Sequence, residues 1–370
     1  MIGLRCIQEL DTSGARAAAT FEHEGARYLA VPQLARDVEG TPADMTAGNS
    51  DTQTLIYRWE GGRFVPDAAL DAPGGEDAEF FRIGERAFLA VASLRHGAGP
   101  YDMRPGSTIF ELHAGRFLPL QQVPSFAAKQ WKYLAVGTRH FLALAQCVAA
   151  PGETPARQDM STLYEWTGRD FSPFQHIDSA WGYNWADIDV DGHRLLAYAD
   201  HVRPSRLLRW NGSSFEHFQD LDGNSGRAFC HFETRGRHWL AFCNLLGDTL
   251  LYRWSDGRFV PHQTVSGPGG REFAWLDDIQ ALVVVNFLRG TREAPITDLE
   301  SVIYRFADDR LVPAMSFPTH GATDAAYFRH DGKRYLVVAN SLSPQVRFRT
   351  PTRIYELDPA VPGGDGKETT

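Results

Sequence analysis

Lysine is almost missing from this 370-residue chain, where four lysines accompany 33 arginines. With 37 basic against 46 acidic residues the net charge is -9, so neither nucleic acid nor an anionic membrane surface is an expected partner. The lysine shortage itself reads as the codon bias of a GC-rich bacterial genome rather than as phosphate chemistry. Cysteine is scarce as well. Cys6, Cys147, Cys230 and Cys243 are scattered without CxxC spacing, which predicts reduced thiols rather than a disulfide framework. Nothing approaches the roughly 18 apolar residues that a spanning helix needs, and the N-terminus has no apolar segment behind a basic start. Together these absences predict a cytoplasmic protein. Also missing are a helical period, a Gly-rich phosphate loop opening a helix, a G-x-S-x-G elbow and a His/Cys cluster with zinc spacing. What remains is 34 glycines, 21 prolines and 12% aromatics, the composition of many short strands joined by tight turns.

Two short motifs recur seven times each. One reads IYRW at 56, IFEL at 109, LYEW at 163, LLRW at 207, LYRW at 251, IYRF at 303 and IYEL at 354. The other reads YLAV at 28, FLAV at 88, FLAL at 141, LLAY at 195, WLAF at 239, LVVV at 282 and YLVV at 335. From Tyr57 to Leu89, Phe110 to Leu142, Tyr164 to Leu196, Leu208 to Leu240 and Tyr304 to Leu336 the step is 32 residues, and from Tyr252 to Val283 it is 31. So constant a step marks one supersecondary unit copied along the chain. Within a unit, β-branched and aromatic residues alternate over short runs, giving four strands, A to D. Seven such units predict an all-β, seven-bladed β-propeller, whose radial closure leaves no long exposed sheet edge. Pro66, Pro119, Pro173, Pro261 and Pro313 recur in strand D, which must then be the outer edge.

Strand D also carries a spacing of aromatic, glutamine and aliphatic residues, as in Phe171, Gln175 and Ile177. The N-terminus repeats it with Leu4, Gln8 and Leu10, while the chain ends in a strand C at 352–357 without its own D. Residues 4–10 are therefore expected to pair with 352–357 and close the ring. The blades should lie near 15–70, 76–123, 129–177, 181–221, 226–265, 271–315 and 324–357 plus 4–10. That is one propeller over 1–357, followed by a disordered tail at 358–370.

GGEDAEFF with FLAVAS, GATDAAYF with YLVVAN, and STLYEW followed by FSPFQHI make the units resemble the EAR (epilepsy-associated, or EPTP) repeat family across residues 4–357. Kelch repeats fit less well. The resemblance implies a seven-bladed propeller of a kind found mostly in secreted or surface proteins that bind other proteins. A chain without a leader is expected to be an intracellular member.

The steps between motifs B and C are 12 residues in blades 4 and 5 but 28, 21, 22, 21 and 19 in blades 1, 2, 3, 6 and 7. Insertions confined to one rim mark the binding face. Aligned on the B-strand leucine, strand A has a core position at Phe21, Phe81, Leu134, Ile188, Phe232, Trp275 and Phe328. Three residues nearer the loop-rich rim, Trp131, Trp185 and Phe229 face Ala325, Ala18 and Ala78 across the axis, predicting an aromatic-walled pocket for an apolar or cationic ligand. Arg16, Glu76, Lys129, Tyr183 and Arg227 lie above it, and Glu272 at its level. Asp187 and His231 could form an acid–base pair with Tyr133 nearby. His96, Tyr101, Asp102, His201 and His320 are further rim candidates.

No cofactor is required by these residues. Calcium is the one ion these residues suggest, either in the D-x-D-x-D run Asp187, Asp189, Asp191 or in the channel at Asp77 and Asp324. Two functions are compatible with the pattern. The leading one is a module that binds a small apolar or aromatic ligand or a protein partner at the mouth. The second is a cofactor-free cyclase, isomerase or lyase of bacterial secondary metabolism using the same pocket.

Overall fold

The computed structural model describes residues 2–150, 152–223 and 225–359. Among them, seven four-stranded antiparallel sheets follow one another around a ring, each running in order A, B, C, D from the axis outward. Blade 4 is representative, with strands Gly182–Val190, His193–Asp200, Arg206–Trp210 and Phe215–Asp220. The fold is the seven-bladed propeller that the repeats predict. A small two-stranded sheet, Arg289–Gly290 with Pro295–Ile296, decorates the blade 6 insertion.

Ring closure follows the expected pairing. Ile2–Leu10 runs antiparallel to Thr352–Pro359, with Leu4 opposite Leu357 and Leu10 opposite Thr352. The strand thus extends into the segment assigned to the tail. Asp358 and Pro359 are part of the sheet, and the remainder of that assignment, 360–370, lies outside the described residues.

Each blade has two apolar faces, one against the preceding blade and one against the following blade. Phe81 of blade 2, for example, packs with Trp131, Leu142 and Tyr164 of blade 3. Polar clasps add direction to this packing. Every D strand is bulged opposite its C strand, and in five of them the recurrent proline sits beside that bulge, as where Tyr164 faces Pro173. In five blades the residue after the bulge is a glutamine that reaches the D strand of the next blade. Gln175 donates to the Phe215 carbonyl at 2.6 Å and accepts from the Phe215 N–H at 2.9 Å. Gln8, Gln121, Gln219 and Gln263 do the same to Phe64, Phe171, Phe259 and Leu311. Ala68 and Met315 occupy the position in the other two blades.

These clasps should be measurable. Gln175→Ala leaves both backbone groups of Phe215 without their side-chain partner, so urea unfolding is expected to show a loss of about 1–3 kcal/mol. Removing residues 1–10 takes away a whole strand together with the Gln8 clasp and is expected to lower the unfolding midpoint further. An unchanged midpoint in either variant would contradict this account of how neighbouring blades are held.

Candidate functional site

Strand A meets the channel with its edge, and at the loop-rich rim its first residues are irregular. In blades 2, 4, 5, 6 and 7 a bulge falls there, and its extra residue is Glu76, Tyr183, Arg227, Arg271 or Thr323. Glycine precedes the bulge in four of these blades because the neighbouring blade approaches closely. A Cβ at Gly75 would lie 2.8 Å from the Pro32 side chain, and one at Gly270 2.8 Å from Thr249. The bulges release these side chains from the sheet faces and bring them, with Arg16 and Lys129, to the channel mouth.

The result is a polar pocket of about 200 Å³ lined from six blades. Its upper tier is mostly cationic. Glu76 sits between Lys129, 3.2 Å away, and Arg16, 3.5 Å away. Burial pushes the Glu76 carboxyl up, but Lys129, Arg16 and Arg271 outweigh it and hold the group below the usual range. Tyr183 is surrounded by cations, with Arg227 3.8 Å from its ring centre and Lys129 and Arg271 each at 5.3 Å. Burial opposes ionisation of this phenol, yet the three cations bring its pKa below the ordinary value. Arg227 itself is lowered to about 10, first by burial. It also lies 3.0 Å from Nδ1 of His201, whose pKa is lowered to about 4 by burial and by that guanidinium, so the imidazole is neutral.

The next tier carries carboxyl and amide groups. Asp77 accepts from the Trp131 N–H at 2.9 Å, Gln130 from the Trp185 N–H at 2.5 Å and Asp324 from the Ala18 N–H at 2.7 Å. Each therefore clasps the inner strand of the next blade. Glu272 accepts from Asn184 at 3.2 Å. Burial raises Asp77 to about 8 and Asp324 to about 6, and burial with Asp324 and Asp77 nearby holds Glu272 well above the carboxylate range.

Several sequence expectations require correction. Trp131, Trp185 and Phe229 do not wall the channel. They turn into the interblade core, where Trp131 packs 5.8 Å from Tyr164, Trp185 4.3 Å from Tyr198 and Phe229 4.6 Å from Phe242. Side chains of an inner strand alternate between its two neighbours, and large apolar rings take a buried face rather than a polar mouth. The small side remains: Ala18, Ala78 and Ala325 line the pocket. Glu272 belongs to the carboxyl tier rather than the aromatic one. The Asp277–Ile279 turn alters the blade 6 hairpin so that Leu282, not Val283, faces Tyr304. The core position is accordingly Leu276, and Trp275 stacks on Phe232 instead.

Asp187 and His231 do not pair. Asp187 is bridged by Arg194, and His231 lies 3.2 Å from His238 with its pKa lowered to about 4, first by burial. Tyr133 contacts Nδ1 of His140 at 2.7 Å. The acidic run is not a calcium loop, because Asp189 faces Arg194 while Asp191, in the hairpin turn, accepts from Trp254 Nε1 at 2.6 Å. No group of three or more His, Cys, Asp or Glu residues among the described residues could hold a metal ion. His96 pairs with Asp102, Tyr101 donates to the Gly48 carbonyl beneath Arg95, and His320 faces Asp298. None of the four lines the pocket.

Arg271 was missed by the sequence reading, as was Gln130. Aligning strand A on the residue before its bulge, in GREF, GRAF, GEDA and GYNW, sets Arg271 beside Arg227 and Glu272 beside Asp77.

The EPTP domain family model matches residues 214–255 and 310–358. Those two segments are thus similar to EPTP repeats. Each matched segment takes strand D of one blade with A, B and C of the next, so the family unit spans a blade boundary. The Thrombospondin-type laminin G domain and EAR repeat-containing proteins of Homo sapiens and Mus musculus are 28% and 27% identical over 125 residues. These matches cover 33% of this chain and 17% of each relative. A putative 6-phosphogluconolactonase from Bacteroides fragilis has a similar architecture. Its TM-score is 0.57 at 15% identity, covering 81% of this chain and 86% of that one, which is a likeness of fold alone. No helix among the described residues is long and apolar enough to cross a membrane.

Buried in the interblade core, Trp185 should matter for stability. Trp185→Ala is expected to cost about 3–5 kcal/mol in urea unfolding, as for other large core truncations. A loss below about 1 kcal/mol would return the ring to the channel wall.

Proposed function

We propose that this EPTP propeller is a binding module whose loop-rich mouth receives an anionic group, a carboxylate above all, carried by its ligand. One observation carries the reading. Arg271 lines the pocket at 8% exposure, and neither a hydrogen bond nor an ion pair is formed by its guanidinium among the described residues. Arg16, its side chain 10% exposed, has the 3.5 Å ion pair to Glu76 but no hydrogen bond at Nε. Buried cations ordinarily find an anion, and Glu76 is the one carboxylate at their level. The grouping required for acid–base turnover is dispersed, which favours binding over the cyclase, isomerase or lyase alternative.

The test is the thermal stability of the full chain in sodium acetate or benzoate against chloride at matched ionic strength. Carboxylates are expected to raise the melting temperature through mass action, and Arg271→Gln to abolish the rise. An equal response of both proteins would overturn the assignment. The affinity for simple carboxylates should also depend on pH. Asp324 and Asp77, with pKa values raised to about 6 and about 8, become negative as pH rises through those values and then oppose an anion held just above them. Binding is thus expected to be tightest below about pH 6 and several-fold weaker above about pH 8, by the sign of the charge gained.

A further inference from the structure

Two tiers of opposite character are stacked one strand residue apart, about 3.3 Å. Above lie Arg16, Lys129 and Arg271, and below lie Asp77, Glu272 and Asp324. From this stacking we infer that the mouth binds a small zwitterion, an α-amino acid in its chemistry. Its carboxylate meets the upper cations, and its ammonium meets the lower carboxyls. This inference rests on the anion reading above and specifies its ligand.

A simple anion answers only half of the site. It would sit against Arg271 and Arg16 but leave three buried carboxyls crowded below, where they already raise one another's pKa. A simple cation would neutralise those carboxyls while lying directly beneath the guanidinium groups. A ligand with both charged groups on one carbon satisfies both tiers at once. Every carboxyl of the lower tier accepts a bond from the protein, and Asp77 does so through Oδ2 alone, leaving Oδ1 to accept from a ligand. The space is appropriate. A cavity of about 150 Å³ accommodates benzene, and this one, at about 200 Å³, admits a molecule of single-amino-acid size rather than a peptide segment. The room lies on the side of Ala17, Ala18, Ala78 and Ala325, between Asp324 and Asp77.

The full chain is titrated at about pH 8.5, above the raised pKa values of Asp324 and Asp77, with each of the twenty free amino acids by thermal shift. The best of them is then compared by calorimetry with its N-acetyl derivative, which keeps only the anion, and its amide, which keeps only the cation. Both capped forms are expected to bind at least about tenfold more weakly, the loss of one charge-assisted contact. Asp77→Asn keeps an acceptor for the Trp131 N–H but not the charge, and is expected to bring the free and N-acetyl forms to within about threefold of each other. Asp324→Asn is the second variant should the first fail to fold. If the N-acetyl form binds as tightly as the free amino acid, the zwitterion is overturned and the anion site stands. An amide that binds equally well also overturns it. Should acetate stabilise the protein while none of the amino acids does so more strongly, the inference fails alone. If neither acetate nor any amino acid has an effect, both readings fail.

Discussion

The structure depends on contacts between blades more than on pairing within them. A four-stranded sheet with two apolar faces cannot hide either by itself, so each blade is stable only when sandwiched. Apolar packing is tolerant of sliding, and direction comes from side-chain groups that bind the backbone of the next blade at two radii. Near the axis these are Asp77, Gln130 and Asp324, and at the outer edge they are the five glutamines. Both devices use a polar side chain whose partner is fixed in the main chain, so the register between blades does not rely on shape alone.

The same inner clasp creates the chemistry of the mouth. A carboxylate that must reach the next strand's N–H is held in a buried place beside others on the same tier, and its pKa rises in consequence. The cations outweigh that cost for Glu76 at their own level, whereas for Glu272 and Asp324 beneath, Arg271 offsets it only in part. The mouth is therefore electrically divided along the axis because the interblade clasp and the bulge fall on consecutive residues. A role in architecture and a role in recognition are imposed on one short stretch of strand.

Sequence periodicity made the scaffold readable because it is written in residues that every blade must share. The B-strand leucines, the Tyr of strand C, the edge prolines and the N-terminal Leu4–Gln8–Leu10 pattern each have one physical role repeated around the ring, and closure followed from them. The mouth was less legible for the opposite reason. Its residues differ in every blade, so their level can be fixed only by alignment, and a one-residue change in the blade 6 hairpin moved Glu272 to the wrong tier and hid Arg271. Trp131, Trp185 and Phe229 were misplaced because periodicity tells how far along a strand a residue lies, not which of two faces it takes. The asymmetry with alanine was real, but on the aromatic side it records interblade volume. Asp187 and His231 share a level on adjacent blades, yet Arg194 and His238, each across its own hairpin, are nearer.

The interface between blades 1 and 2 shows how the pocket and the ring are reconciled. Ala17 stands where an inner clasp would form and Ala68 where an outer glutamine would, so neither device joins these two blades. Apolar contact replaces them. Phe21 stacks on Phe80 at 4.3 Å and meets the edge of Phe117 at 6.4 Å, binding the D strand of blade 2 through its ring rather than its backbone. Omitting the inner clasp leaves room beside the axis in the sector where the alanines open the pocket. Blades 6 and 7 likewise lack both devices, with Met315 at the outer position and Glu272 bonded to Asn184 rather than to blade 7, and a closed ring accepts such joints because opening one requires a second interface to yield as well. The next seam, between blades 7 and 1, has both Asp324 and Gln8 in place and adjoins the blade that the N-terminal strand completes. The opening in the inner wall thus sits between two junctions, 7 to 1 and 2 to 3, that each carry both clasps, where the loss of one clasp disturbs the circle least.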